Sequence, residues 1–492
     1  MVDSRPKVAR LISVAVFAAV FAACLVIGQR MMNADGDLGR HLVVGEYILR
    51  QQQIPLVDYF SHSLAGAPFT PHEWLAEVLF ALAFRVKGFA GVVWLAAFIL
   101  AAAYSLFSRV LLQLSQKFWL VIGMTVAAMG AGSLHFLTRP HIFSYLLFVI
   151  LLVLLRIDKR PVIVRGLMIA VFIVWANTHG GFLYGLLYLG GRFVPAFITG
   201  VRRGKNSAWK FELIDLGLAV SGTLVNPAGW KVYQTAFGFL SSSYLVQHTQ
   251  EYLPIGLDSL YGWLFLSLNV IVLLVFAMKT RQAQLLDYLQ AITWSGMGWL
   301  SARHIPIAVM VLLSTIAGLL SRNDPAAMIE RDSLENQQDR KVRQPAAIYI
   351  TDKILIVLAI IAGYFYTIRA NYSFDPAAFP VQAAQAIREK LPAGNMFNEF
   401  TWGGYLLFEL RPEQKVFIDG QTDFYGEGVA KDYVTIRQAE DGWQMLMEKY
   451  AVDWVILPPE APLVGILQGD SKNWRTVYQD EVAVVLNRIK AP

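Results

Sequence analysis

Asn33-Ala34-Asp35-Gly36-Asp37 holds the first residues whose types and spacing could do chemistry: two carboxylates on either side of a glycine. The glycine lets the backbone turn both side chains toward one target, so that one serves as base or metal ligand while the other holds its geometry. Arg40, His41 and Glu46 follow, and later come Asp58, Ser61, His62 and Pro71-His72-Glu73-Trp74. Short polar turns then recur: Arg139-Pro140-His141, Asn177-Thr178-His179-Gly180-Gly181, Asn226-Pro227, Gln250-Glu251-Tyr252 and Arg303-His304. Taken singly, each reads as readily as a solvated turn, a helix cap or a head-group anchor. Taken jointly, two carboxylates with several Arg and His are what a site for an anionic lipid phosphate needs, because Arg and protonated His stabilise phosphate charge.

Elements that bring these turns together must be membrane spans. The chain has 492 residues, 56% hydrophobic and 16% charged, whereas a water-soluble domain carries roughly 25% charged residues. Apolar runs near 11–29, 89–108, 118–134, 141–155, 163–177, 181–200, 211–226, 259–278, 284–300, 304–321 and 350–368 predict about eleven spans of a polytopic α-helical membrane protein. The run at 73–84 is short and ends in Arg85 and Lys87, which predicts a helix lying along the membrane surface.

Basic short loops stay cytoplasmic, which orients the bundle. Arg5, Lys7 and Arg10; Arg109 and Lys117; Arg156, Lys159, Arg160 and Arg165; Arg202, Arg203, Lys205 and Lys210; Lys279 and Arg281; and Arg322, Arg331, Arg340, Lys341 and Arg343 then share one side. Counting 73–84 as a span would put the Arg156–Arg165 cluster outside. The N-terminus is expected in the cytoplasm, the chain is expected in a bacterial inner membrane, and every polar turn above is expected on the opposite face. Span interiors are nearly free of ionisable groups, which counts against an ion-coupled transporter; Arg192 is the exception, expected to snorkel or to pair with Asp215. The net charge of +6 is a basic excess of the membrane portion over an acidic tail, so it reads as topology and not as nucleic-acid binding. The single cysteine, Cys24, excludes an intramolecular disulfide and a Cys-based metal site; the apolar run continues past it to Ile27, which reads as an uncleaved anchor.

Two domains follow from this: 1–370 with a long first external loop at 31–88, and 371–492 outside the membrane. The terminal part alternates extended and helical stretches, extended at 395–400, 415–419, 452–457, 474–478 and 483–487, which predicts an α/β domain. Trp402-Gly403-Gly404-Tyr405 and Asp419-Gly420-Gln421-Thr422-Asp423 follow its first two extended stretches, where an α/β sheet presents its ligand crevice. They read as turns, or more sharply as an acceptor or sugar site using Asp419 and Asp423.

The order of parts resembles the GT-C superfamily of membrane glycosyltransferases. The resemblance rests on the acidic opening of the first loop (Asp35, Asp37), the Phe69-Thr70-Pro71-His72-Glu73-Trp74-Leu75 entry to a surface helix, the multiple spans and the external tail domain. His72 to Leu106 is similar in outline to aminoarabinose and protein mannosyl transferases. Asp37, His41-Leu42, Gly45, Ile54-Pro55, Asp58, Ser61, Arg139-Pro140-His141, Asn177-Thr178-His179-Gly180 and Trp402-Gly403-Gly404-Tyr405 look like a bacterial group of GT-C-like proteins. Two departures stand out: Pro71-His72-Glu73 replaces a double proline, and Gln421 stands where an Arg is expected. The resemblance implies transfer of a sugar from a polyprenyl-phosphate carrier, on the external face, to an acceptor lipid, glycan or protein. Asp37 or Asp35 would act as base or orient the acceptor. Arg139, His141, His179 and Arg303 are assigned to the carrier phosphate, with Glu73 and Glu251 also at the substrate. Some superfamily members use a divalent metal; Asp35, Asp37 and Glu251 could ligate Mg or Mn. The competing expectations are a non-catalytic glycan- or lipid-binding assembly protein and a lipid or glycan transporter.

Overall fold

The computed structural model describes residues 5–115, 117–157, 160–202, 207–322, 346–388 and 392–489. Among the described residues, five helices are long and apolar enough to cross a membrane: Trp74–Leu114, Phe118–His135, Phe182–Arg202, Leu260–Met278 and Ala302–Ser321. Shorter apolar helices cover Arg10–Val26, His141–Leu154, Val162–Thr178 and Leu355–Arg369. Ser207–Thr223 and Leu285–Leu300 are helical at the two remaining places where an apolar run was expected. Among the basic residues used for orientation, Lys159, Arg203, Lys205, Arg331, Arg340, Lys341 and Arg343 lie outside the described residues.

Trp74–Leu114 is one helical run bent at its fourteenth and fifteenth positions, where Lys87 leaves helical geometry and Gly88 takes φ +58°, ψ −148°. That backbone region is open essentially to glycine alone. Gly88 therefore separates the expected surface helix from the expected span. Helix Ile305–Ser321, apolar all round, is buried on nearly every side and forms the bundle centre. Arg192 does not pair with Asp215. Its guanidinium takes Glu212 at 2.9 Å, because Asp215 is already shared by Arg160 and Arg165.

The terminal part forms a four-stranded sheet, β1 Asn395–Asn398, β2 Val452–Leu457, β3 Trp474–Gln479 and β4 Val484–Arg488, in the order β1-β2-β4-β3. β1 and β2 are parallel, and the other pairs are antiparallel. The stretch 415–419 joins none of them. Val416 instead bridges Ser61 of the first loop, donating its N–H to the Phe60 carbonyl at 3.2 Å and accepting from His62 N–H at 3.0 Å. A further helix, Thr422–Gln438, follows Gln421; it is broken by Gly426 at φ +68°, and its mixed polar pattern hid it in the sequence.

First loop and tail domain share one core. Val44, Ile48 and Phe60 pack with Phe374, Phe379, Tyr405, Leu406 and Trp454 in a single buried cluster. The contact is closest where helix Leu38–Gln51 meets helix Gly403–Leu410. A Cβ on Gly36 would strike the Thr401 carbonyl, one on Gly39 the Gly404 carbonyl, and one on Gly404 the Gly36 carbonyl. Backbone meets backbone, so nothing flexible can yield. Gly404→Ala is expected to lower the thermal midpoint of the purified protein, at a cost of about 1–3 kcal/mol, and to speed proteolysis between the spans and the tail. An unchanged midpoint and digestion rate would refute this account of the docking.

Candidate active site

Asp37 occupies the N-cap position of helix Leu38–Gln51, but its carboxylate caps no backbone N–H. It turns instead to Arg139, whose Nη2 donates to Asp37 Oδ2 at 2.6 Å. The same guanidinium holds Asp35 Oδ2 at 2.6 Å and Glu251 Oε2 at 3.3 Å through Nη1. Asp37 N–H donates to Asp35 Oδ1 at 2.9 Å, so the glycine between the two aspartates does converge both carboxylates on one cation. Glu251 Oε1 in turn accepts from Arg303 Nη1 at 2.6 Å. Arg303 also reaches the Tyr252 hydroxyl at 2.8 Å.

The Asn177-Thr178-His179-Gly180-Gly181 turn has two jobs. Asn177 Oδ1 accepts from Trp74 Nε1 at 2.6 Å, pinning the start of helix Trp74–Leu114, so Trp74 is an anchor within the protein. His179 Nδ1 accepts from Gly181 N–H at 3.0 Å and contacts Ser144 Oγ at 2.8 Å. In a neutral imidazole the proton then resides on Nε2, and burial, with the Arg303 guanidinium next, lowers the pKa and keeps the ring neutral. Nε2 stands 2.9 Å from Arg303 Nη2 and 3.9 Å from Glu73 Oε1. The Arg303 guanidinium and the His179 ring thus sit side by side at the edge of one space.

These groups line a cavity of about 650 Å³, within the range of small-molecule sites. Asp37, Glu73, Arg139, His179, Glu251 and Arg303 all border it. Asp35 and His141 do not: Asp35 lies behind Arg139, and His141 Nε2 donates to the His135 carbonyl at 2.7 Å. Another part of the lining is apolar, including Leu187, Phe237 and Leu240, each of them partly exposed.

The tail domain closes the cavity with Gly420, Gln421, Thr422 and Asp423. A Cβ on Gly420 would collide with the Asp37 carboxylate. Asp419 is not available to a sugar: it is fully buried and ion-paired with Arg40, Oδ1 to Nε at 3.1 Å, while Arg40 lies between the Phe60 and Phe69 rings. Asp423 does face the cavity, 3.8 Å from His72 Nδ1. The cavity roles of His41, His72 and Tyr252 were not assigned from sequence; the one available signal was that His41 follows Asp37 by one helical turn.

No protein-family model matches the sequence, and no curated protein matches it. Solved structures do. The archaeal oligosaccharyltransferase AglB from Archaeoglobus fulgidus, in complex with an inhibitory peptide and a dolichol-phosphate, aligns with a TM-score of 0.55 at 10% identity, over 90% of this chain and 69% of that one. ArnT from Cupriavidus metallidurans bound to undecaprenyl phosphate aligns with a TM-score of 0.52 at 15% identity, over 97% of this chain and 98% of that one. Both are GT-C glycosyltransferases.

The chain shares the fold of these two structures. Within this scaffold the acidic first loop, the Arg139 turn and the tail domain meet at one point. The charge there is unevenly shared. Burial raises the Asp35 pKa to about 6, with Arg139 opposing and Asp37 reinforcing the rise. Burial acts the same way on Glu251, but Arg303 and Arg139 outweigh it and hold that carboxyl at about 2. A folded value above the free value of 3.8 means that ionising Asp35 costs more in the fold than in the unfolded chain. Its contribution is therefore most favourable below pH 3.8 and is lost as pH rises through about 6. Asp35→Asn removes this dependence, so its stability relative to wild type should improve between pH 4 and 7, by roughly 1–3 kcal/mol. Thermal unfolding of both proteins across that range checks it; a constant difference would contradict the raised value.

Proposed function

We propose that this protein is a membrane glycosyltransferase that moves a sugar from a polyprenyl-phosphate carrier to an acceptor at the extracytoplasmic face. The carrying observation is that the Arg303 guanidinium and the His179 ring sit side by side in a cavity whose lining is in part apolar. A phosphate oxygen accepts from both groups, and the prenyl chain runs along Leu187, Phe237 and Leu240. The fold, shared with proteins solved with dolichol-phosphate and undecaprenyl phosphate, supports the same reading. About eleven spans then cross a bacterial inner membrane, with the N-terminus cytoplasmic and the tail domain outside.

In this reading Asp37 is the first-loop aspartate at the substrate and orients the acceptor, while Asp35 sets the position of Arg139. As the bond from sugar to phosphate breaks, the leaving oxygen gains charge, which Arg303, His179 and Arg139 stabilise. Gln421 and Asp423 border the side of the cavity where the sugar or acceptor lies. The carboxylates do not fit a divalent metal. Arg139 already takes one oxygen from each of Asp35, Asp37 and Glu251, and among the described residues no three His, Cys, Asp or Glu side chains gather as a ligand set.

Binding of undecaprenyl phosphate to the detergent-purified protein tests the reading directly. Wild type should bind it, and Arg303→Gln should weaken binding at least about tenfold, the worth of one charge-assisted hydrogen bond; absence of binding by wild type would end the proposal. Asp37→Asn should keep binding but lower release of undecaprenyl phosphate from undecaprenyl-phosphate-linked pentoses and hexoses by about 100-fold or more. Retained release in that variant would take Asp37 out of the reaction, and a wild type that binds the carrier but releases none from its sugar-linked form would be a binding protein instead. Chelation with EDTA should change neither binding nor release; a loss restored by Mg or Mn would show that a metal displaces Arg139.

A further inference from the structure

Asp37 is poorly placed to take a proton. Its Oδ2 is committed to Arg139 at 2.6 Å, and Gly420 is packed against its carboxylate. Asp35 does not border the cavity. One turn along helix Leu38–Gln51, however, His41 does, and its own N–H donates to the Asp37 carbonyl at 3.1 Å. The side chain is 4% exposed. Nδ1 lies 3.2 Å from Glu77 Oε1, and Glu77 is itself 1% exposed and no part of the cavity lining. A carboxylate partner requires the proton on Nδ1, which leaves Nε2 as an acceptor in the neutral ring. Nε2 is buried and has no hydrogen-bond partner among the described residues. Leaving such an atom unpaired is costly, because it gives up its hydrogen bond to water and gains none in return. The cost is accounted for if a substrate hydroxyl or amine completes the bond.

We propose that His41, held by Glu77, accepts the proton of the attacking acceptor group. The proposal rests on the glycosyltransferase reading above and assigns its missing base. The acceptor oxygen or nitrogen forms a bond to the anomeric carbon while its proton passes to His41 Nε2. The bond from that carbon to the carrier phosphate breaks, and its electron pair leaves on the phosphate oxygen. His41 later returns the proton to water. Glu77 is a positioning residue: it fixes which nitrogen faces the cavity and stabilises the imidazolium. The charged and titratable groups around His41 are Glu77 and Glu73 from helix Trp74–Leu114 and its cap, Asp37 and Arg40 on its own helix, and Arg139, His72 and His179 bordering the cavity. Burial lowers the His41 pKa, but the bond to Glu77 and the Glu73 and Asp37 charges outweigh it and raise the pKa above the usual value. Activity therefore rises with pH as His41 loses its proton.

The test measures release of undecaprenyl phosphate from undecaprenyl-phosphate-linked pentoses and hexoses, with an envelope membrane extract as acceptor, against pH. Binding of undecaprenyl phosphate is measured in parallel. His41→Gln and His41→Asn should lower kcat by about 100-fold or more, leave carrier binding within about twofold, and abolish the acidic limb of the profile. Glu77→Gln should lower kcat less and move that limb to lower pH, because the carboxylate that holds the imidazolium is gone. A limb that stays in His41→Gln, or a loss of turnover matched by loss of carrier binding in both His41 variants, would overturn the assignment. Failure of wild type to bind undecaprenyl phosphate would instead sink the glycosyltransferase reading itself.

Discussion

A single guanidinium ties together three stretches of chain that are far apart in sequence. Arg139 reaches Asp35 and Asp37 at the opening of the first loop and Glu251 in the Gln250–Tyr252 turn. Glu251 passes the link on to Arg303, and Arg303 to His179. The cluster is buried enough that bulk water screens little of it, so each charge depends on its neighbours. It contains more carboxylates than guanidiniums, and the raised Asp35 value is a consequence of that imbalance together with burial. A site poised in this way can take up or release a proton without unfolding, and it offers Arg139 and Arg303 as donors to an arriving anion.

The cluster would be open to solvent without the tail domain. The tail is fastened by two different devices. The glycines Gly36, Gly39 and Gly404 let two backbones approach within a distance that any side chain forbids. The Arg40 to Asp419 pair, buried beneath aromatic rings, adds an ion pair that neither partner can leave alone at low cost. Both devices lie directly beside the site: Arg40 precedes His41, and Gly420 follows Asp419 and backs the Asp37 carboxylate. Docking and chemistry are therefore coupled through adjacent residues, and the tail acts as a wall of the cavity, not as a separate appendage.

Much of this was legible in the residues. Apolar runs report directly on burial in lipid, so every expected run proved helical, and Gly88 split the expected surface helix from the expected span where Arg85 and Lys87 suggested. Asp37, Glu73, Arg139, His179, Glu251 and Arg303 were picked out because polar groups at the ends of apolar runs are costly without partners. Local composition also signalled an α/β tail, since strand and helix patterns differ in period.

What no local pattern carries is the identity of each partner. Whether Asp35 or Asp37 borders the cavity, why His141 stands behind it, and why Asp419 pairs with Arg40 all depend on which turns face one another across the bundle. The 415–419 stretch has the pattern of a sheet strand, but its backbone pairs with the first loop, because β-pairing is a contact between distant segments. His41 reads as one polar residue among several in the first loop until Glu77 is seen beside one nitrogen and nothing beside the other. Hydrophobic period and charge are properties of a segment, and these the sequence determined; hydrogen bonds and ion pairs are properties of two surfaces, and only the tertiary structure decided them.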